Sequence, residues 1–221
     1  MDKNIKAVIF DLDGVIVDTA RFHYIAWKQL ADQLGFDFTL EHNELLKGIG
    51  RLESLDILLS IGNINASVEQ KNRWAQQKNA AYIALCNQMK TGDVLPGVLD
   101  FLEDLRINDI KIALGSASKN APLILDHTGI TPFFDAIVDG NSISRGKPDP
   151  QVFLLGAEEL GVYPSECIVF EDALAGIQAA KAAGMTAIGV GSPENLPGAD
   201  SYINGFKDLK WKNIVSIVNV A

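Results

Sequence analysis

The sequence predicts an α/β protein: a parallel sheet covered by helices on both faces, with a helical block inserted after the first strand. Three observations carry this reading. Ala7-Val8-Ile9-Phe10 is a short apolar block cut off by Asp11-Leu12-Asp13-Gly14; from about Asp18 to Met89 apolar residues recur at helical spacing; and after Pro96-Gly97 short apolar blocks alternate with amphipathic segments.

Taken in order, the block at Ala7 is bounded by polar residues and too short for a helix, which suits a strand buried on both faces. Phe22, Ile25, Ala26, Gln29, Leu30 and Leu34 then mark a helix, and Glu44 to Leu59 and Val68 to Leu85 show the same periodicity. Beyond Gly97 come a helix over Val98 to Arg106, a strand over Lys111 to Leu114 and a helix over Ala121 to His127. Strands at Ala136 to Val138, Ile168 to Phe170 and Ala187 to Val190 are separated by helices over Gln151 to Leu160 and Ala173 to Ala183. Strands alternating with helices imply parallel pairing. The crossings between the two textures fall near Gly14 to Thr19 and Thr91 to Gly97. They divide the chain into an α/β core, residues 1–16 and 92–221, and a helical cap, residues 17–91, joined by an expected hinge.

Composition narrows the function classes. With 221 residues, 48% of them hydrophobic and 21% charged, the chain can bury a core and is neither a disordered nor a disulfide-stapled type. The 19 Lys and Arg against 28 Asp and Glu leave a net charge of -9, which disfavours nucleic acid and anionic membrane as partners. An anionic substrate must therefore be held by local basic residues. Cys86 and Cys167 fit no metal-ligand or disulfide pattern, so a cytoplasmic location is expected; no apolar run approaches a membrane span, and no export signal is read. A negative surface without an apolar strip points to a monomer.

Chemistry-bearing residues cluster where strands end. Asp11 and Asp13, two apart on an extended backbone, project the same way from the edge at which open parallel sheets bind ligands. Such close like charges call for a divalent cation or a shared proton. Ser116 follows Lys111 to Gly115 and, with the amides after it, can hold a phosphoryl oxygen; alone it reads as a helix cap. Lys147 lies in the turn Arg145-Gly146-Lys147-Pro148-Asp149-Pro150, where an ammonium can face a phosphate; alone it reads as a surface lysine. Glu171-Asp172 ends another strand and supplies hard oxygen ligands suited to magnesium.

Together and in this order, these elements resemble the haloacid dehalogenase superfamily. Phe10-Asp11-Leu12-Asp13-Gly14-Val15 resembles its first motif, Ser116 its second, Lys147 its third and Glu171-Asp172 its fourth. The resemblance implies a Rossmann-like core with a helical cap inserted after the first motif. It also implies that Asp11 is a phosphoryl-accepting nucleophile, that Asp13 is the general acid and base, and that Mg2+ is held by Asp11, the main-chain carbonyl of Asp13, Glu171 and Asp172.

Within that superfamily, the chain is similar to the sugar phosphomutases through Asp18-Thr19-Ala20, His23, Trp27, Leu46-Lys47-Gly48-Ile49-Gly50-Arg51 and Ser116-Ala117-Ser118-Lys119-Asn120. This likeness implies interconversion of β-D-glucose 1-phosphate and D-glucose 6-phosphate through β-glucose 1,6-bisphosphate and an aspartyl-phosphate enzyme. Gly50 departs from the pattern, where a serine often precedes the arginine, and puts one substrate hydrogen bond in question. A mutase must hold two phosphates at once. Thr19, His23 and Trp27 at i, i+4 and i+8 share a helical face, and Lys47 with Arg51 repeats that spacing. Arg51 can fork two hydrogen bonds to a phosphate while Lys119 and Asn120 approach from the core, and Lys78 resembles a cap lysine of these enzymes. Cap closure is expected to exclude water. The alternatives are a sugar-phosphate phosphatase with the same core residues and a non-catalytic binding protein.

Overall fold

A computed structural model describes residues 4–220; residues 1–3 and 221, assigned above to the core, lie outside it. The strands are β1 (Ala7–Phe10), β2 (Lys111–Gly115), β3 (Ala136–Val138), β4 (Cys167–Glu171), β5 (Thr186–Val190) and β6 (Ser201–Ile203). They form one six-stranded sheet in the order β3-β2-β1-β4-β5-β6, every pairing parallel. This is a Rossmann-like α/β fold. Because successive strand residues face opposite sides, Val8, Phe10, Leu114 and Phe170 join one apolar layer while Ala7, Ile9, Ala113 and Val169 join the other.

Helices α5 (Val98–Ile107), α6 (Ala121–Thr128) and α9 (Trp211–Val220) cover the first face, and α7 (Gln151–Leu160) and α8 (Leu174–Ala182) the second. On the first face Phe10 stacks on Phe170 with ring centroids 5.3 Å apart, while Phe101 and Phe206 close on Phe170 at 5.7 and 5.3 Å. This aromatic group lies directly beneath the strand ends that carry Asp11 and Glu171.

Helices α1 (Ala20–Leu34), α2 (Leu40–Glu44), α3 (Arg51–Ile61) and α4 (Val68–Cys86) fill the insertion. Trp27, Leu30, Phe38, Leu55, Leu58 and Ala75 give it an apolar cluster of its own. The chain enters and leaves through adjacent segments: Leu95 N donates to Ile16 O at 2.9 Å, and Val17 bridges both Asp13 and Val94.

The single helix expected over Glu44 to Leu59 is broken. α2 starts on a Thr39 capping box and ends at Glu44, and α3 begins only at Arg51. Between them Gly48 takes φ +73°, a left-handed conformation open to glycine at little cost, and Gly50 is the extended N-cap of α3. Lys47 and Arg51 therefore do not share a helix face. The short edge strand β6 is not marked by the apolar pattern; two of its three residues are only partly buried, and Ala199-Asp200-Ser201 breaks the pattern ahead of Tyr202.

Phe170→Ala is expected to remove about 3–5 kcal/mol of stability, read as a lowered urea midpoint with an unchanged slope. A midpoint at the wild-type value would mean the aromatic group does not hold the sheet.

Candidate active site

Three adjacent strands place the core residues. Phe10 is level with Leu114 on β2 and Phe170 on β4, so Asp11, Ser116 and Glu171 emerge together at the C-terminal sheet edge. Asp11 N donates to Phe170 O at 3.0 Å, which carries the ladder one residue past β1. Two glycines admit the carboxylates. A Cβ on Gly176 would sit 1.8 Å from Glu171 Oε1, and one on Gly14, whose φ is +82°, 2.2 Å from Asp172 Oδ2.

Lys147 is not a surface lysine. It is 3% exposed, and its Nζ donates to Asp11 Oδ1 at 2.6 Å and Glu171 Oε1 at 2.5 Å. Burial lowers its pKa, but the two carboxylates outweigh that and raise it above the usual lysine range. Glu171 Oε2 is further fixed by the Ala173 N–H at 2.8 Å. Asp11, Glu171 and Asp172 bring ligand oxygens within 4.8 Å of one another. Burial raises the Asp11 pKa, and the charges of Glu171, Asp13 and Asp172 add to the rise that Lys147 opposes. Burial likewise pushes Asp172 up to about 7, with Glu171 adding to it and Lys47 opposing. Lys147 and the more distant Lys47, 3.5 Å from Asp172, do not neutralise the group. Clustered hard oxygens with a shortage of positive charge fit a divalent cation.

Asp13 belongs to a different environment. Its Oδ1 accepts from Thr19 Oγ1 and from Tyr82 Oη at 3.2 Å, and lies 3.6 Å from His23 Nε2. Burial raises its pKa, but hydrogen bonds from His23, Thr19 and Tyr82 together win and bring it down to about 2. Its carboxylate is thus outside the acidic trio; the metal role read for Asp13 was through its main-chain carbonyl. His23 Nδ1 lies 2.9 Å from Lys78 Nζ, which sits 4.5 Å over the Trp27 ring. Burial and then Arg51 depress the Lys78 pKa to about 7.

A cavity of about 490 Å³ joins these groups. Asp11, Asp13, Ser116 and Asp172 line its core side, followed by Ala117, Ser118, Lys119 and Asn120. His23, Trp27, Lys47, Gly48, Arg51 and Lys78 line the insertion side. Thr19 is the exception among the anticipated substrate contacts: it is fully buried, does not line the cavity, and spends its hydroxyl on Asp13. It is the N-cap of α1 in helical conformation, and its hydroxyl and the His23 ring turn to the same Asp13 oxygen. Trp27 is only 2% exposed and mostly part of the apolar cluster. Lys47 turns toward Glu44 at 3.0 Å and Asp172, whereas Arg51 forms no ion pair among the described residues. Tyr82 was missed. Its signal was spacing: Ala75, Lys78, Tyr82 and Cys86 are the buried residues of α4, so the lysine's inward face continues to this phenol.

A Rossmann-like sheet with a buried aspartate at a strand end, a buried lysine on it and an acidic pair beside it is the arrangement of a phosphoryl-transfer class of α/β enzyme. The haloacid dehalogenase-like hydrolase family matches residues 5–184, and the chain belongs to that family. Among its relatives, the beta-phosphoglucomutase of Bacillus subtilis strain 168 is 45% identical over 206 residues, covering 92% of this chain and 91% of that protein. The crystal structure of beta-phosphoglucomutase from Clostridium difficile superposes with a TM-score of 0.92 at 46% identity, covering 98% of each chain. A phosphorylated carbohydrates phosphatase of Thermotoga maritima is 33% identical over 96% of this chain and 94% of its own.

The raised Asp172 pKa gives a pH test. Any stability from its protonated form is present in the ordinary carboxylate range and lost as pH rises through about 7. A divalent cation binds the ionised form, so its affinity rises over the same interval. Adding Mg2+ to metal-free protein is expected to raise Tm more at about pH 8 than at about pH 6. An equal shift at both would show that no proton leaves the site on binding. Separately, Tyr82→Phe deletes one hydrogen bond to the Asp13 carboxylate and should raise the Asp13 pKa from about 2, read from the side-chain carboxyl carbon by NMR titration; an unmoved value would count against that contact.

Proposed function

We propose that this protein interconverts β-D-glucose 1-phosphate and D-glucose 6-phosphate through β-glucose 1,6-bisphosphate, with Asp11 carrying the phosphoryl group. One observation carries this reading: the cavity that contains Asp11 also contains Arg51, a guanidinium without a carboxylate partner among the described residues, contributed by the opposite wall. A phosphatase needs one anion site; a hexose with esters at both ends needs two. The likeness to two beta-phosphoglucomutases over nearly the whole chain supports the same choice.

In the proposed cycle, an oxygen of Asp11 attacks the phosphorus of the bisphosphate, and the bond from phosphorus to sugar oxygen breaks. Asp13 gives its proton to that oxygen. In the reverse sense, Asp13 takes the proton of the sugar hydroxyl as its oxygen attacks the phosphorus on Asp11 and the acyl phosphate bond breaks. Between the halves, the bisphosphate exchanges ends, with Arg51, Lys119 and Asn120 holding the phosphate that is not reacting. Lys147 and Ser116 steady the charge on the transferring group. Mg2+ bound by Asp11, Glu171, Asp172 and the Asp13 carbonyl would neutralise phosphoryl charge.

A carboxylate with a pKa of about 2 is a weak base, so Asp13 must shed some of its bonds to His23, Thr19 and Tyr82 before it accepts a proton. We read residues 17–91 as a cap whose movement does this when sugar is present, the same movement that excludes water. The protein is read as a cytoplasmic monomer acting on small sugar phosphates. No helix among the described residues is long and apolar enough to cross a membrane, and both cysteines are free and buried.

The test incubates the protein with Mg2+, a trace of bisphosphate primer and β-glucose 1-phosphate, comparing glucose 6-phosphate with free phosphate. Glucose 6-phosphate should dominate; phosphate in large excess would make the protein a sugar-phosphate phosphatase. Asp11→Ala should form no phosphoenzyme and show no turnover, and Asp13→Asn should lose about 10²–10⁴-fold in kcat with the fold intact. Near wild-type turnover by Asp11→Ala would overturn the covalent scheme.

A further inference from the structure

Apart from the bonds to Asp13, the insertion meets the core around the cavity rim through contacts that differ in kind. On one flank Lys47 Nζ lies 3.5 Å from Asp172 Oδ2, and Gly48 packs so closely that an added Cβ would be 2.9 Å from Ala173 Cβ. That contact is tied to the acidic group and so to the reacting end of the cavity. On the other flank α4 contributes Asn79, whose Oδ1 accepts from Asn120 Nδ2 at 2.9 Å. Asn120 is the N-cap of α6, and its main-chain N–H donates to Ser118 Oγ at 3.2 Å. The amide pair therefore joins the insertion to the loop that carries Lys119, through groups that are not part of the acidic trio. Both asparagines are half-buried and line the cavity.

A neutral amide pair costs less to desolvate than the ion pair on the other flank, and its hydrogen bond does not depend on the charge carried by the acidic group. It also takes its donor from a residue at the phosphate-holding end. We propose that Asn79 is a positioning residue, a latch by which the Ser116–Asn120 loop holds α4 over the sugar so that the phosphoryl group on Asp11 meets a hydroxyl and not water. The proposal rests on the mutase reading. Asn79 acts on the fate of the phosphoryl group through Asn120 and through the enclosure of the cavity, and it makes no bond in the chemistry.

The experiment compares wild type, Asn79→Ala and Asn79→Asp in the Mg2+ and bisphosphate-primed assay, measuring glucose 6-phosphate formed per free phosphate released, with Tm alongside. Losing one half-buried hydrogen bond should lower that ratio about 2- to 10-fold in Asn79→Ala while lowering Tm by no more than about 2–4 °C. Asn79→Asp keeps an acceptor oxygen for Asn120 Nδ2 and should recover most of the ratio, a rescue that a merely structural role does not give. An unchanged ratio in Asn79→Ala, an equal loss in both variants, or a fall in Tm of about 10 °C or more in Asn79→Ala overturns the latch. If wild type makes glucose 6-phosphate, those outcomes leave the mutase reading standing; a wild type that releases only free phosphate overturns that reading and the latch's role together.

Discussion

A buried ammonium held between two carboxylates organises the centre of this molecule. Lys147 reaches Asp11 and Glu171 from a loop far away in the chain, and all three side chains are nearly sealed from solvent. A buried charge is tolerable only when paired and hydrogen-bonded, so the Lys147 loop, the ends of β1 and β4 and the start of α8 must be assembled together. The glycines at 14 and 176 answer to the same need, since any side chain there would occupy the space the carboxylates fill. With three acidic groups gathered, the pairing remains short of positive charge, and that shortage makes the site receptive to a cation and a phosphoryl group.

Much of the core was legible because it is written in local patterns. Four apolar residues ended by an aspartate mark β1, and alternation after Gly97 implies parallel strands, since both are consequences of burial on two faces. The insertion was less legible. Apolar spacing runs through Glu44 to Leu59 without registering that Gly48 and Gly50 leave helical geometry, so Lys47 and Arg51 were given one face when a turn separates them. Lys147 on its own reads as solvated, because its partners lie 136 and 24 residues away. Thr19 sits at the helix start where the sequence puts it, with its hydroxyl on Asp13 and outside the cavity lining; a hydroxyl at a helix start carries no sign of whether it faces a cavity or a neighbouring carboxylate.

The two aspartates of the first motif show how one strand end serves two environments. Asp11 looks toward the lysine and the acidic pair, where burial favours its neutral form; Asp13 looks toward donors from α1 and α4, which favour its charge. Two residues along an extended chain suffice to separate the proposed nucleophile from the proposed proton carrier. The donors to Asp13 all come from the insertion or its entry segment, so the proton carrier's state is bound to where those helices sit.

The paired entry and exit segments have a mechanical corollary. Ile16 and Leu95 are hydrogen-bonded, and Val17 lies against Val94, so the two connections form a short two-ply ribbon instead of separate tethers. Such a ribbon resists stretching and sideways slip far better than twist. Whatever excursion the helical module makes therefore collapses onto a single torsional coordinate, and one distance label on each side of the ribbon is enough to follow it.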